Sequence, residues 1–139
     1  MSTTPGNASL EVVRGSTWEQ SFEYAQSDGS PVDLTGYKAR MQVRTLDGQY
    51  GTSGVDTLML ELTSDNGLLV IDTPDGGTVP NRVRIIATPD EHAALNPDNS
   101  ARERYGYSIE LYIPASGDSA EYVVPFLVGS ITVYGEVTR

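Results

Sequence analysis

The chain contains no cysteine. That excludes disulfides, thiolate nucleophiles and thiolate metal ligands. Histidine occurs once, at His92, so a Ser-His-Asp arrangement would have to use that residue and a zinc site finds too few ligands. Cationic residues are scarce: nine Lys and Arg face nineteen Asp and Glu, for a formal net charge of −10. Phosphate would repel such a chain, which argues against nucleic acid as a partner. Arg82 with Arg84, or Arg102 with Arg104, could form a local basic spot, but these read as solvated strand and loop residues. No apolar run approaches the roughly 20 residues of a membrane-spanning helix, so no membrane role is expected. Met1 to Asn7 are small and polar, without the basic start and apolar run of a signal peptide. Synthesis in a cytoplasm is the expectation. With 139 residues the chain is long enough to build a core without metal or disulfide. It is expected to form one domain over 1–139, with residues 1–7 as a flexible N-terminal segment.

What the sequence does contain is alternation. Tyr37, Ala39, Met41 and Val43 interleave with Lys38, Arg40, Gln42 and Arg44, a period of two that puts apolar groups on one strand face and cations on the other. Leu10 and Val12, then Trp18, Phe22 and Tyr24, predict two early strands split near Gly15. Leu58, Leu60 and Leu62 predict another, followed by a tight turn at Ser64-Asp65-Asn66-Gly67 into Leu68–Ile71. Arg82–Ile86 and the series Tyr105, Tyr107, Ile109, Leu111, Ile113 come next. A hairpin loop at 115–119 leads to Tyr122, Val124 and Phe126, and Ile131, Val133 and Val137 finish the sheet. Pro125 demands an edge or a bulge, and Gly129 marks a bend or bulge. Thr88, Pro89 and Glu91 form a capping-box signature for one short helix near residues 89–95, closed by Pro97. The expected fold is all-β: an Ig-like or Greek-key β-sandwich of eight or nine short antiparallel strands.

Signals for chemistry are sparse. His92 lies beside Asp90 and Glu91 without a nucleophile-elbow sequence and reads as an exposed helix residue. Glu19, Glu23, Glu61 and Glu110 fall on outward strand positions, where paired-acid hydrolysis would need two of them to meet in a cleft. Asp65 with Asn66, and Asp72 with Asp75, sit in glycine-containing turns that could gather calcium ligands, but neither has EF-hand spacing. Gly48, Gly51 and Gly54 lack the lysine and hydroxyl of a phosphate loop. No catalytic residue, cofactor or metal is assigned. Tyrosine is the prominent aromatic, with eight against two Phe and one Trp, and it suits protein interfaces. Tyr50 in the long 46–56 loop and Tyr112 on the polar face of its strand are the leading contact candidates. Trp18, Lys38, Arg40 and Arg44 complete the candidate interaction set.

The order of several motifs points further. Arg14-Gly15-Ser16-Thr17-Trp18 precedes a strand. Gly29-Ser30-Pro31-Val32-Asp33-Leu34-Thr35-Gly36-Tyr37 leads into Ala39-Arg40-Met41-Gln42-Val43-Arg44, and Gly129-Ser130-Ile131-Thr132-Val133 runs into Glu136-Val137-Thr138-Arg139. This succession, spanning nearly the whole chain, resembles small tailed-bacteriophage virion proteins, including the amino-terminal domain of phage baseplate upper proteins. The resemblance implies a non-enzymatic structural role: a docking or adaptor module of the tail or baseplate, or a decoration protein of capsid or tail. It implies other virion proteins as partners, homo-oligomers within the particle, and a virion location after synthesis in the host cytoplasm. No catalytic residues belong to the family pattern. Asp33 to Tyr37 reads as a folding signature, with Asp33 and Thr35 capping a turn and Gly36 supplying an unusual backbone angle. Longer relatives continue into an arm or receptor-binding portion, whereas this chain stops at Arg139, so docking or decoration is the expectation. A carbohydrate-binding β-sandwich for host-surface recognition is the alternative, with Trp18 or Tyr50 as sugar-stacking aromatics, and a two-carboxylate hydrolase is the third reading.

Overall fold

Alternating burial along each strand follows the alternation of the sequence and sorts the chain into two sheets. The computed structural model describes residues 6–46 and 57–136. Among the described residues nine strands are formed: β1 (Gly6–Asn7), β2 (Leu10–Val13), β3 (Trp18–Glu23), β4 (Lys38–Arg44), β5 (Leu58–Thr63), β6 (Leu69–Asp72), β7 (Arg82–Ala87), β8 (Arg102–Ile113) and β9 (Tyr122–Tyr134). The larger sheet runs β1-β9-β8-β4-β5, with β2 also on β9, and the smaller runs β3-β7-β6. In β4 the buried Ala39, Met41 and Val43 sit opposite Leu111, Ile109 and Tyr107 of β8. Trp18, Val83, Ile85, Ala87 and Leu69 contribute from the smaller sheet. Residues of both sheets share one apolar core, and Phe22 of β3 meets Phe126 of β9 edge-on at 6.5 Å between ring centroids.

The strands expected from periodicity are present, but their pairing is richer than the antiparallel arrangement expected. β1 and β2 both run parallel to β9, so the larger sheet is mixed. Gly6 and Asn7, read from the sequence as part of a flexible segment, pair with Leu127 and Val128. The turn at Ser64–Gly67 forms, yet it carries the chain from one sheet to the other: β5 pairs with β4, and β6 with β7. Asn66 holds this corner, its Oδ1 accepting from the amides of Thr63 and Leu68 at 3.0 Å each. Pro125 sits at a register shift between β8 and β9, as its missing N–H requires. β9 passes through Gly129 unbroken. A Cβ there would collide with the Ala8 carbonyl, so glycine is what lets the β1–β2 connection lie against β9. Val137 lies outside the described residues.

The short helix expected at 89–95 is absent, and the described residues contain no helix. The capping box itself forms: Thr88 N donates to Glu91 Oε1 at 2.8 Å and Glu91 N to Thr88 Oγ1 at 3.3 Å. One turn follows, with His92 N bonded to Thr88 O, and then shorter-range turns take over. One turn fixes many dihedrals for few hydrogen bonds, and there is no room for a second. Asn96 enters the left-handed region at φ 54°, and Pro97 has no N–H to give. Arg14 collects the carbonyls instead: its Nη1 reaches those of Ala93, Leu95 and Asn96 at 2.9, 3.1 and 2.8 Å.

Candidate functional site

Because β4 lies between β5 and β8, its outward side chains have neighbours on both sides on the larger sheet's polar face. Lys38 is opposite Tyr112, Arg40 opposite Glu110, and Gln42 between Ser108 and Glu61. Arg40 organises the group. Its Nε donates to Glu110 Oε1 at 2.8 Å, and its two terminal nitrogens reach Glu121 at 3.0 and 3.4 Å. The guanidinium also lies 4.5 Å from the centre of the Tyr112 ring, within cation–π range. Hydrogen bonds donated to Glu121 and then to Glu110 hold the charged form, so the Arg40 pKa is raised above its usual value. Lys38 pairs with Asp65 at 2.7 Å. Arg44 donates twice to Gln42 Oε1, at 2.8 and 3.1 Å, and Gln42 donates to Glu61 at 3.3 Å. A surface depression of about 370 Å³ is lined by Arg40, Gln42, Glu61, Ser108 and Glu110.

The structure thus brings Lys38, Arg40 and Tyr112 together at one end of β4, with Arg44 at the other. The stripe is cationic by sequence, but Lys38 and Arg40 each face a carboxylate within the chain. Glu61 and Glu110, two of the outward strand carboxylates, both line the depression. Glu110, however, already accepts a hydrogen bond from Arg40 Nε, so its carboxylate is engaged within the chain. Three of the four calcium candidates are likewise engaged. Asp72 accepts from Arg82 at 2.7 Å and Arg84 at 3.1 Å, which hold its carboxyl below the usual range. Asp65 is with Lys38, and Asn66 serves the corner turn. Among the described residues no three His, Cys, Asp or Glu side chains gather to hold an ion.

Two expectations need correction here. Trp18 is not a surface contact residue; it is 3% exposed, because its place opposite Ala87 on β7 turns the indole into the core. It therefore offers no face to a sugar or a partner. His92 is not exposed but fully buried, its ring meeting Trp18 edge-on with centroids 6.3 Å apart. Its Nε2 lies 2.7 Å from the Ser16 carbonyl, which can only accept, so Nε2 carries the proton. His92 thus locks the 88–96 turns onto the β2–β3 connection. Tyr50 lies outside the described residues.

Sequence reasoning missed Glu121, since nothing in a hairpin loop announces that it will fold back on Arg40. It also missed the group Tyr37, Ile113 and Tyr122 at the ends of β4, β8 and β9. Alternation locates the strands there, but not how far the smaller sheet covers them. No protein-family model matches the chain, and no curated protein matches it in sequence.

Proposed function

We propose that the protein is a non-enzymatic structural component of a tailed-bacteriophage particle. It acts by protein–protein binding, as a docking or adaptor module of tail or baseplate or as a decoration protein of capsid or tail, and is oligomeric in the particle. The two sheets and their shared core are read as a Greek-key, Ig-like β-sandwich. The observation that carries the proposal is where the motifs of the phage-protein resemblance lie: their residues are used in scaffolding. Arg14 binds three carbonyls of the 93–96 turns. Asp33 Oδ1 accepts from the Thr35 amide at 2.9 Å and hydroxyl at 2.6 Å, and Gly36 follows at φ 87°. Gly129 lies under the Ala8 carbonyl. Signature residues spent on holding a frame suit a module whose surface is its function, and the acidic balance favours solubility at the high local concentrations of particle assembly.

The test is mass spectrometry of purified particles from the phage that encodes the chain. The protein is expected in fixed stoichiometry to the known tail or capsid components. Particles that are complete and infective without it would overturn the proposal.

A further inference from the structure

The inner face of the larger sheet runs past its cover at one end. Ala39, Leu111 and Val124 are neighbouring core positions on β4, β8 and β9. Two residues on, the same rows carry Tyr37, Ile113 and Tyr122. Ile113 is paired with Tyr122, and the two are 38% and 53% exposed. Tyr37 is half-buried. Tyr24 completes the group, 5.2 Å from Phe126 between ring centroids. The Tyr37 hydroxyl is held above its usual pKa by burial first, then by the nearby Tyr122 and Tyr24. Three tyrosines and an isoleucine thus form an apolar patch with polar tips, built on strand ends.

The segments framing this patch, 24–37 and 113–122, contain no lysine or arginine. They carry Asp28, Asp33, Asp118 and Glu121. Glu121 is committed to Arg40, but no cation pairs with the three aspartates among the described residues. Asp28 and Asp33 each accept a hydroxyl and an amide hydrogen bond that keep them ionised well below neutral pH.

We propose that this tyrosine-lined, acid-rimmed end docks a basic segment of a neighbouring protein, one that alternates arginine or lysine with apolar residues. Apolar side chains cover Ile113 and the tyrosine rings, guanidinium groups stack on the exposed ring faces, and the aspartates supply the counter-charge. The inference rests on the reading of the chain as a docking protein, and it names the surface and the chemistry of the partner.

The probe is a synthetic peptide alternating arginine with leucine and serine, titrated into the isotope-labelled full-length chain and followed by amide chemical shifts. The same peptide with glutamate for arginine is the control. The largest shifts are expected at Tyr24, Tyr37, Ile113 and Tyr122. Tyr122→Ala is expected to weaken binding about tenfold, the loss of a hot-spot aromatic, whereas Tyr122→Phe keeps most of it. Glu11→Gln, on a distant acidic position, leaves it unchanged. Shifts scattered over all acidic surfaces, equal binding of the glutamate peptide, or full affinity in a folded Tyr122→Ala variant would overturn the proposal. Particle mass spectrometry separates the two failures. A chain present in particles but without peptide shifts at this end sinks the surface alone, and one that binds here but is absent from particles sinks the virion reading alone.

Discussion

Asn96 is fully buried and sits in the left-handed region, yet every hydrogen-bonding group it carries is used. Its Nδ2 donates to the carbonyls of Ser100 at 2.9 Å and Val133 at 3.1 Å, and its Oδ1 accepts from the amide and hydroxyl of Ser100. Its own amide donates to the Tyr105 hydroxyl at 2.7 Å. Asn96→Ala therefore strands buried partners as well as losing bonds, and is expected to cost about 2–4 kcal/mol in urea unfolding. Tyr107 presents a second case. Burial pushes its hydroxyl up to about 12, and that hydroxyl donates to the Ala8 carbonyl at 2.7 Å. The folded state thus resists losing this proton, while the unfolded chain loses it near the ordinary value of 10.0. The resulting stability is fully present below pH 10 and drains away as pH rises toward 12. Tyr107→Phe is expected to be less stable at neutral pH by about 1 kcal/mol, the net worth of one hydrogen bond. Its gap to the parent chain should close with pH across that alkaline window in parallel urea titrations, and a gap that stays constant would refute the assignment.

At the scale of strands, Arg40 ties β4 to β8 and to the loop before β9, while stacking on Tyr112. A half-exposed ion pair contributes little alone, but a guanidinium held by two carboxylates and a ring is more rigid than an isolated pair. A double-mutant cycle of Arg40→Leu with Tyr112→Leu is expected to show a coupling of about 0.5–1 kcal/mol. A value indistinguishable from zero would mean that the stack is incidental. The strands themselves were legible because period-two patterns report which face is buried, and β4 or β8 can hardly be read otherwise. Pairing partners were not legible: alternation in Leu10–Val13 is the same whether β2 runs parallel or antiparallel to β9. The capping box at Thr88 was a true local signal, and the helix failed for lack of a second turn. For the site, the cationic stripe Lys38, Arg40 and Arg44 was visible, but its acidic partners Asp65, Glu110 and Glu121 come from other segments. Trp18 was misplaced because a strand's first residue reads the same inside or out until the second sheet is known.

Across the whole molecule, the shared core makes a prediction about cooperativity. The smaller sheet contributes Trp18, Leu69, Val83, Ile85 and Ala87 to the same cluster that holds Met41, Ile109, Leu111 and Ile131 of the larger. Neither sheet can expose its inner face without uncovering the other's, so the two should unfold together. The chain carries its own reporter, since its single tryptophan is the buried Trp18 at the start of β3. Denaturant titrations followed by Trp18 emission, which reports the smaller sheet, and by far-ultraviolet circular dichroism, which weights the longer strands of the larger one, are expected to superimpose with a common midpoint. An earlier fluorescence transition would show that β3, β6 and β7 detach while the larger sheet persists. Ile85→Ala sharpens the test: it removes a fully buried side chain from the smaller sheet, at a cost of about 2–5 kcal/mol. If the core is one unit, that loss moves both signals by the same amount. If the sheets are separable, only the tryptophan curve moves.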